Sequence, residues 1–493
     1  MFAASKSGRA GSAAPTTDAS FAYVPLLLET GSSSSRSTTV TDSAQTPNTV
    51  NKVGSVSTGW VSPYQTDGYW GNQFNGTTDY LTLPASAALT LTANFTIEFW
   101  VYSGAFASGA SNPSLFNTAS ASIFYESSGS NRGLCLFVGS AIITTATTVL
   151  PNNQWNHVAC VRSGSTVSMF VNGSRVGTNA SFSSTADFSS AFVNRYYASA
   201  AGYLNGYMSN FRVVKGTAVY DPTLTTLTVP TTPLTAITNT SLLTCQSNRF
   251  IDNSASPLAI TPNGTPQVNP YFYPSGFTAP AASPGAVLLN GSSQFLKSTT
   301  ATTAFQFGTN PYTVECWLYQ PSRPTRQYVC GGSFSGTGFQ IFMDSGLLRC
   351  SATGIGDLPA ATIVVPLNAW THIAVVRTNT SAGGVAYYVN GVPAGTNTMS
   401  ANISGTASFI NVGTSADSTA EPTIGYIGNF RIVKGTAVYT GAFTPPSGPL
   451  TRTGGTYPSL TNVVTGFSAA NTSLLLNLAD SNYTSATNGV QNN

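Results

Sequence analysis

The chain has 493 residues with a formal net charge of +3, and 41% of them are hydrophobic but only 7% charged. A globular chain ordinarily carries about 25% charged residues, so this surface is built from neutral hydroxyls and amides. Apolar content of this size excludes a disordered chain, and the lack of a Lys/Arg cluster excludes an electrostatic footprint for nucleic acid or an anionic membrane.

Residues 1–22 are Ala/Ser/Gly-rich and read as an N-terminal arm with too little apolar surface to hold itself down. They lack the apolar centre of a secretory signal, so export by the general route is not indicated. No apolar run approaches the ~18 residues of a membrane-spanning helix. Val24–Leu28 reads as a first short apolar strand, and Phe74–Leu83 places a turn signal before an alternating stretch, which predicts a strand pair. Phe95–Val101 alternates with period two, with Phe95, Ile97, Phe99 and Val101 on one side and Glu98 and Trp100 on the other. Trp155–Arg162 and Val167–Val171 predict two more strands, the second ending at the hairpin signal Asn172-Gly173. Met208–Val214 predicts a strand running into a turn at Lys215-Gly216.

The same order returns. Tyr312–Leu318, Trp370–Arg377, Tyr387–Gly391 and Gly425–Tyr439 repeat the pattern, with Asn429 standing 219 residues after Asn210. That period is far beyond the roughly 20–50 residues of a solenoid layer, so each copy is a domain. The fold expected is all-β: two tandem antiparallel β-sandwich jelly rolls, with a flexible N-terminal arm and a short C-terminal strand segment. The expected divisions are 1–22 as arm, 23–222 as the first domain, 223–240 as a Pro/Thr-rich linker open to proteases, 241–446 as the second domain, and 447–493 as a tail. Asn239–Leu243 is expected to restart the first-strand pattern and open the second domain, and Asn471–Leu476 to open a third that never finishes, so that its strand must pair with an edge in the same chain or in a neighbouring subunit. The intermolecular or docking alternative is favoured.

The ordered set Phe/Leu-Asn-Gly, x-Ile/Val-Glu-x-Trp, Trp-x-His-Val/Ile-Ala-x-Val-Arg, Val-Asn-Gly and Gly-Tyr-x-x-Asn-Phe-Arg resembles the laminin-G-like, concanavalin-A-type jelly roll over about residues 24–222 and 241–446. The resemblance implies two packed antiparallel sheets with variable rim loops where ligands commonly bind. The ending Lys-Gly-Thr-Ala-Val-Tyr in a charge-poor chain further resembles the versions found in structural proteins of tailed bacteriophages, particularly of aquatic hosts such as cyanophages. Members of the family often carry acids just before the Phe-Arg strand. Here those positions are Ser209, Asn210, Gly428 and Asn429.

Candidate chemistry is sparse. His157 and His372 each sit two residues after a Trp (Trp155, Trp370), on the same strand face, without a second ligand at metal spacing. They read as structural, and both Trp residues as core anchors. Glu98 and Glu315 are single acids in equivalent strands, expected to be satisfied by an Arg or an amide, whereas glycoside hydrolysis needs two carboxylates facing each other across roughly 5–10 Å. Gly332-Ser333-Phe334-Ser335-Gly336 has the wrong spacing for a nucleophile elbow. Clustered acids do not support a structural calcium site, because Asp67, Asp79, Asp187, Asp252, Asp344, Asp357 and Asp417 are isolated, which leaves backbone carbonyls as the alternative source of ligands for such an ion. No metal and no cofactor is expected. The six cysteines lack metal-type pairs and are expected free and buried, as in a reducing cytosol.

For ligand binding the best material is the segment Asp187–Tyr203, where Asn194, Arg195, Tyr196 and Tyr197 fall in an expected rim loop that the second copy does not match. Aromatic faces stack on apolar sugar faces and amides bridge hydroxyls. The expectation is therefore a non-enzymatic virion protein of a phage, in the tail fibre or capsid decoration, assembled in the host cytoplasm. Its expected partners are other virion proteins, further copies of itself and a host-surface glycan, with no nucleic acid and no membrane insertion. The alternatives are a secreted bacterial lectin or adhesin, against which the missing signal counts, and a glycoside-hydrolase-like enzyme, against which the missing paired carboxylates count.

Overall fold

The structure is a computed structural model that describes residues 40, 42–44, 48–54, 56–59, 62–104, 113–126, 133–139, 141–144, 150–270, 273–277, 285–298, 303–333, 338–404, 409–416 and 421–476. The arm 1–22, the strand expected at Val24–Leu28, Asp417 and all residues after Leu476 lie outside the described residues.

Among the described residues the chain is all-β, its only helical pieces being short 3-10 turns. Each of the two modules is a sandwich of an eight-stranded and a seven-stranded sheet. In the first module the larger sheet is built around Phe95–Ser103, with Trp155–Ser163 on one side and Asn205–Lys215 on the other. The equivalent triplet in the second is Tyr312–Tyr319, Trp370–Arg377 and Ile424–Lys434. Alternation sets the two faces of these strands: Phe95, Ile97, Phe99 and Val101, like Tyr312, Val314, Cys316 and Leu318, pack between the sheets. Each such side chain, fully buried, contributes roughly 1.5–3 kcal/mol. The turn Asn172-Gly173 has φ of 48° and 82°, as a two-residue hairpin needs, and joins Thr166–Val171 to Ser174–Asn179.

Several expectations change. Gly71–Asn75 and Tyr80–Thr82 do not pair with each other but lie in opposite sheets, because the Asn75 side chain accepts the backbone N–H groups of Thr77, Thr78 and Asp79 and turns the chain over the sandwich edge. Thr240–Thr244 pairs with Asn205–Lys215, so the strand expected to open the second domain sits in the first module's larger sheet. Thr472–Leu476 likewise pairs with Ile424–Lys434 of the same chain and is buried throughout. The physical reason is the same in both. The long strand's first half has a neighbour on that side, Gly71–Asn75 or Ala286–Asn290, and its second half leaves an open edge that the later apolar strand fills.

The stretch 223–240 is tied down. Arg175 N donates to Thr225 O, Leu227 N to Gly173 O, and the Arg212 guanidinium to Thr235 O, each at 2.8 Å. With Ala218, Tyr220 and Leu227 packed on Ala159, Val161 and Phe170, it forms a strap over the outer face of the larger sheet. Residues 437–467 do the same in the second module, where Val438, Tyr439, Phe443, Leu450, Tyr457 and Phe467 cover Ala374, Val376 and Tyr388.

Trp370 is buried as expected, at the junction between modules, where its backbone N–H donates to Asn248 O at 3.0 Å. Trp155 is only half-buried, so the first module has no equally enclosed anchor at that position.

Candidate functional site

Two places concentrate polar chemistry: a buried acid network under each strap and an aromatic rim on the first module.

The acid networks arise from a bulge. Along Asn205–Lys215 the register against Phe95–Ser103 slips between Ser209 and Arg212, and Asn210 takes φ of 50°. In the second module the same slip puts Asn429 at φ of 47°. Asn accepts this left-handed backbone more readily than other side chains, and its amide is used as well: Asn210 donates to Gly68 O and accepts from Leu234 N. The extra residue resets the alternation, so that Arg212 stands directly across from Glu98 and Arg431 from Glu315.

Glu98 is fully buried. Its Oε1 accepts from Arg212 Nε at 3.0 Å and Nη2 at 2.5 Å, its Oε2 accepts from the Tyr220 hydroxyl at 2.8 Å, and His157 Nε2 lies 3.5 Å away. In the second module Arg431 gives Glu315 two bonds, at 2.8 and 2.5 Å, and the Tyr439 hydroxyl donates to Oε2. His372 Nε2 lies 3.2 Å from the same oxygen, and an ionised carboxylate only accepts, so the ring N–H is the donor. Burial by itself would raise the Glu315 pKa, but Arg431, His372 and Tyr439 outweigh it and hold the carboxyl down to about 2. Burial is likewise overcome at Glu98 by His157 and Arg212, which keep its pKa below the ordinary carboxylate value. Burial pushes the His372 ring down, so it is neutral at pH 7. The sequence pointed to an Arg partner for each Glu and to structural histidines. It did not reveal Tyr220 and Tyr439, although the repeated Lys-Gly-Thr-Ala-Val-Tyr tract carried the signal. Each buried Glu has a cation, a phenol and an imidazole around it, and no second carboxylate contacts it among the described residues.

The expected rim residues separate into anchors and exposed groups. Asn194 is fully buried at φ of 69°; its amide donates to Asp79 O at 2.8 Å and accepts from Leu204 N, which closes the base of the loop. The Asp187 carboxylate accepts from the Thr90 hydroxyl at 2.9 Å and from Ser189 N at 3.1 Å. Burial opposes its ionisation, but the Ser189 and Thr90 bonds together prevail and lower its pKa. No described contact joins that carboxylate to the tyrosines. Arg195 lies with its guanidinium carbon 4.9 Å from the Tyr80 ring centre and 5.0 Å from that of Phe192, within cation–π range of both. Tyr196 and Tyr197 are each 39% exposed and meet edge to face at 4.9 Å. Tyr197 N donates to the Asn117 side chain at 2.7 Å, and Tyr196 N to Ala201 O at 2.9 Å, so the backbone under both rings is fixed. Tyr80 meets both Phe192 and Tyr203, contacts that were not foreseen; Tyr80 and Phe192 lie on neighbouring strands, a relation that only pairing reveals.

No group of three or more His, Cys, Asp or Glu side chains placed to hold a metal ion occurs among the described residues. All six cysteines are buried.

The chain is similar to several solved structures. Domain 4 of AbnA, a GH43 extracellular arabinanase from Geobacillus stearothermophilus in complex with arabinotriose, is 20% identical, over 34% of this chain and 79% of that one, with a TM-score of 0.26. Domains LG4-5 of the mouse laminin α1 chain are 12% identical over 76% of this chain and 90% of that one, with a TM-score of 0.25. The heptameric SAP-like pentraxin of Limulus polyphemus is 16% identical over 30% of this chain and 77% of that one, with a TM-score of 0.23. No curated protein matches the sequence. The family described as the concanavalin A-like lectin/glucanases superfamily matches residues 75–219 and 290–438, once in each sandwich and over more than half the chain. This protein belongs to that superfamily, with two laminin-G-like domains in tandem.

Proposed function

We propose that this chain is a non-enzymatic, carbohydrate-binding structural protein, displayed on the virion of a tailed bacteriophage, that engages a glycan through the rim of its first module. The observation that carries the reading is the Tyr196–Tyr197 pair: two exposed rings on a backbone pinned by Asn117, Asn194 and Ala201, directly after Arg195 in sequence. Fixed aromatic faces stack on sugar rings at little entropic cost, and Arg195 adds donors for hydroxyl or acidic groups. Glu98 and Glu315 are each spent on an internal Arg and Tyr, which favours binding over hydrolysis. The virion setting is supported by the charge-poor composition and the twice-repeated Lys-Gly-Thr-Ala-Val-Tyr ending.

The test is titration of the full chain with cell-surface polysaccharides of candidate hosts, beside the Tyr196→Ala/Tyr197→Ala variant. Binding by the parent, loss in the variant at unchanged melting temperature, and no release of reducing sugar are expected. Equal binding by the variant, or sugar release, would overturn the reading. Mass spectrometry of purified particles tests the setting separately.

A further inference from the structure

The enclosed arginines of this charge-poor chain are spent inside the fold. Arg212 and Arg431 meet Glu98 and Glu315, Arg326 and Arg349 meet Asp357 and Asp344, and Arg162 and Arg377 donate to backbone carbonyls. Arg195 differs. It is half-buried, yet among the described residues its guanidinium makes no hydrogen bond and no ion pair, and its Nε is closed to solvent without an acceptor.

The strands beneath it fix the position of the head group. Leu81 and Val193 point into the core, so by alternation Tyr80 and Phe192 stand on the outer face of the smaller sheet. The Arg195 guanidinium carbon lies 4.9 Å from the Tyr80 ring centre and 5.0 Å from that of Phe192, and Tyr203 meets Tyr80 at 6.2 Å. Rings hold a cation but offer it no acceptor oxygen. The acids of neighbouring segments are committed elsewhere: Asp79 accepts from Asn75 N and Thr265 N, and Asp187 from Ser189 N and the Thr90 hydroxyl. The result is a fixed, partly desolvated positive charge. Only Nε of its three nitrogens is closed off, so Nη1 and Nη2 are left to donate to a ligand. Such a charge gains more from an incoming anion than one that water solvates fully.

We infer that the glycan engaged by the first module is acidic, and that Arg195 is its anion-recognising residue: Nη1 and Nη2 bind two oxygens of a carboxylate or sulfate while a sugar face lies on the Tyr80 ring. The planar guanidinium fork matches an oxygen pair of one oxoanion. The inference rests on the glycan-binding reading above and adds the charge class of the ligand. The second module does not share the site. Val193 and Val412 hold equivalent places, paired with Leu81 and Leu296, and 219 residues after Arg195 stands Thr414. One anion site per chain follows.

The test is calorimetric titration of the full chain with polygalacturonate, its carboxyl-reduced form, dextran sulfate and dextran. The parent is expected to bind an acidic polymer and neither neutral one, and polygalacturonate against dextran sulfate tells carboxylate from sulfate recognition. Arg195→Gln should weaken that binding about tenfold or more, the worth of one charge-assisted hydrogen bond, at unchanged melting temperature. Arg452→Gln, which removes the same charge from an exposed position of the second module, should bind as the parent does. Arg195→Lys keeps the charge without the fork and should fall between, which decides the matter if Arg195→Gln melts early. Equal binding of acidic and neutral polymers would overturn the inference and leave the glycan-binding reading standing, as would loss in Tyr196→Ala/Tyr197→Ala with none in Arg195→Gln. Equal weakening by Arg452→Gln would overturn it by showing attraction to net charge alone. A parent that binds none of the four polymers would overturn it too, and the host-polysaccharide titration then judges the glycan-binding reading by itself.

Discussion

Arg431 meets Glu315 through two donors on one carboxylate oxygen, Nε at 2.8 Å and Nη2 at 2.5 Å, with both side chains fully buried. Removing one partner of such a pair leaves an uncompensated charge in the interior. Arg431→Leu is therefore expected to destabilise the second module by about 3–5 kcal/mol, and Glu315→Gln, which keeps shape and acceptor, by less. Chemical denaturation of both variants checks the order.

The same pair sets an acid limit. The Glu315 pKa is lowered from 4.5 to about 2, so its stabilising contribution is fully present above pH 4.5 and is lost as pH falls to about 2. Denaturation midpoints for the parent should decline across that window, and the decline should be shallower in Glu315→Gln. Identical profiles would show that other carboxylates govern the acid limb.

Asn429 holds a left-handed backbone, and its Oδ1 accepts from the Tyr64 hydroxyl at 2.5 Å and from Leu450 N at 2.6 Å. Asn429→Gly keeps the backbone and loses the bonds, whereas Asn429→Ala loses both. Expected costs are about 1–3 kcal/mol for Gly and roughly 1 kcal/mol more for Ala. Thermal melts of the two variants separate bond from backbone.

Trp370 is 1% exposed and Trp155 half-buried. Trp370→Ala should cost about 3–5 kcal/mol and Trp155→Ala clearly less. Deleting 471–493 should unfold the second module, because Leu474, Leu475 and Leu476 leave its core, and should not yield a folded but unassembled protein. Circular dichroism melts decide between these outcomes.

At the rim, Asn194→Ala should lower the melting temperature, since a buried amide that closes the loop is lost, whereas Tyr196→Ala should not. In limited proteolysis 223–240 should survive the first cuts, held by the bonds of Arg175, Leu227 and Arg212. Early cleavage there would mean that the strap detaches in solution.

Much was legible in the residues themselves. Alternation over Phe95–Val101 separated the core face from the Glu98–Trp100 face, Asn172-Gly173 marked its hairpin, and the return of Asn210-Phe211-Arg212 at Asn429-Phe430-Arg431 announced two domains. These are local signals, fixed by side-chain period and turn chemistry. Partnership was decided only in three dimensions. Thr240–Thr244 reads as a strand wherever it lies, but the open second half of Asn205–Lys215 assigns it to the first module. Asp42 and Asp252 look like isolated loop acids until each meets the orphan donors of a strand end. Tyr80 and Phe192 became neighbours of Arg195 because two short strands pair. A strand's sequence specifies which face it buries and says little about which edge it joins, because backbone donors and acceptors are the same at every edge.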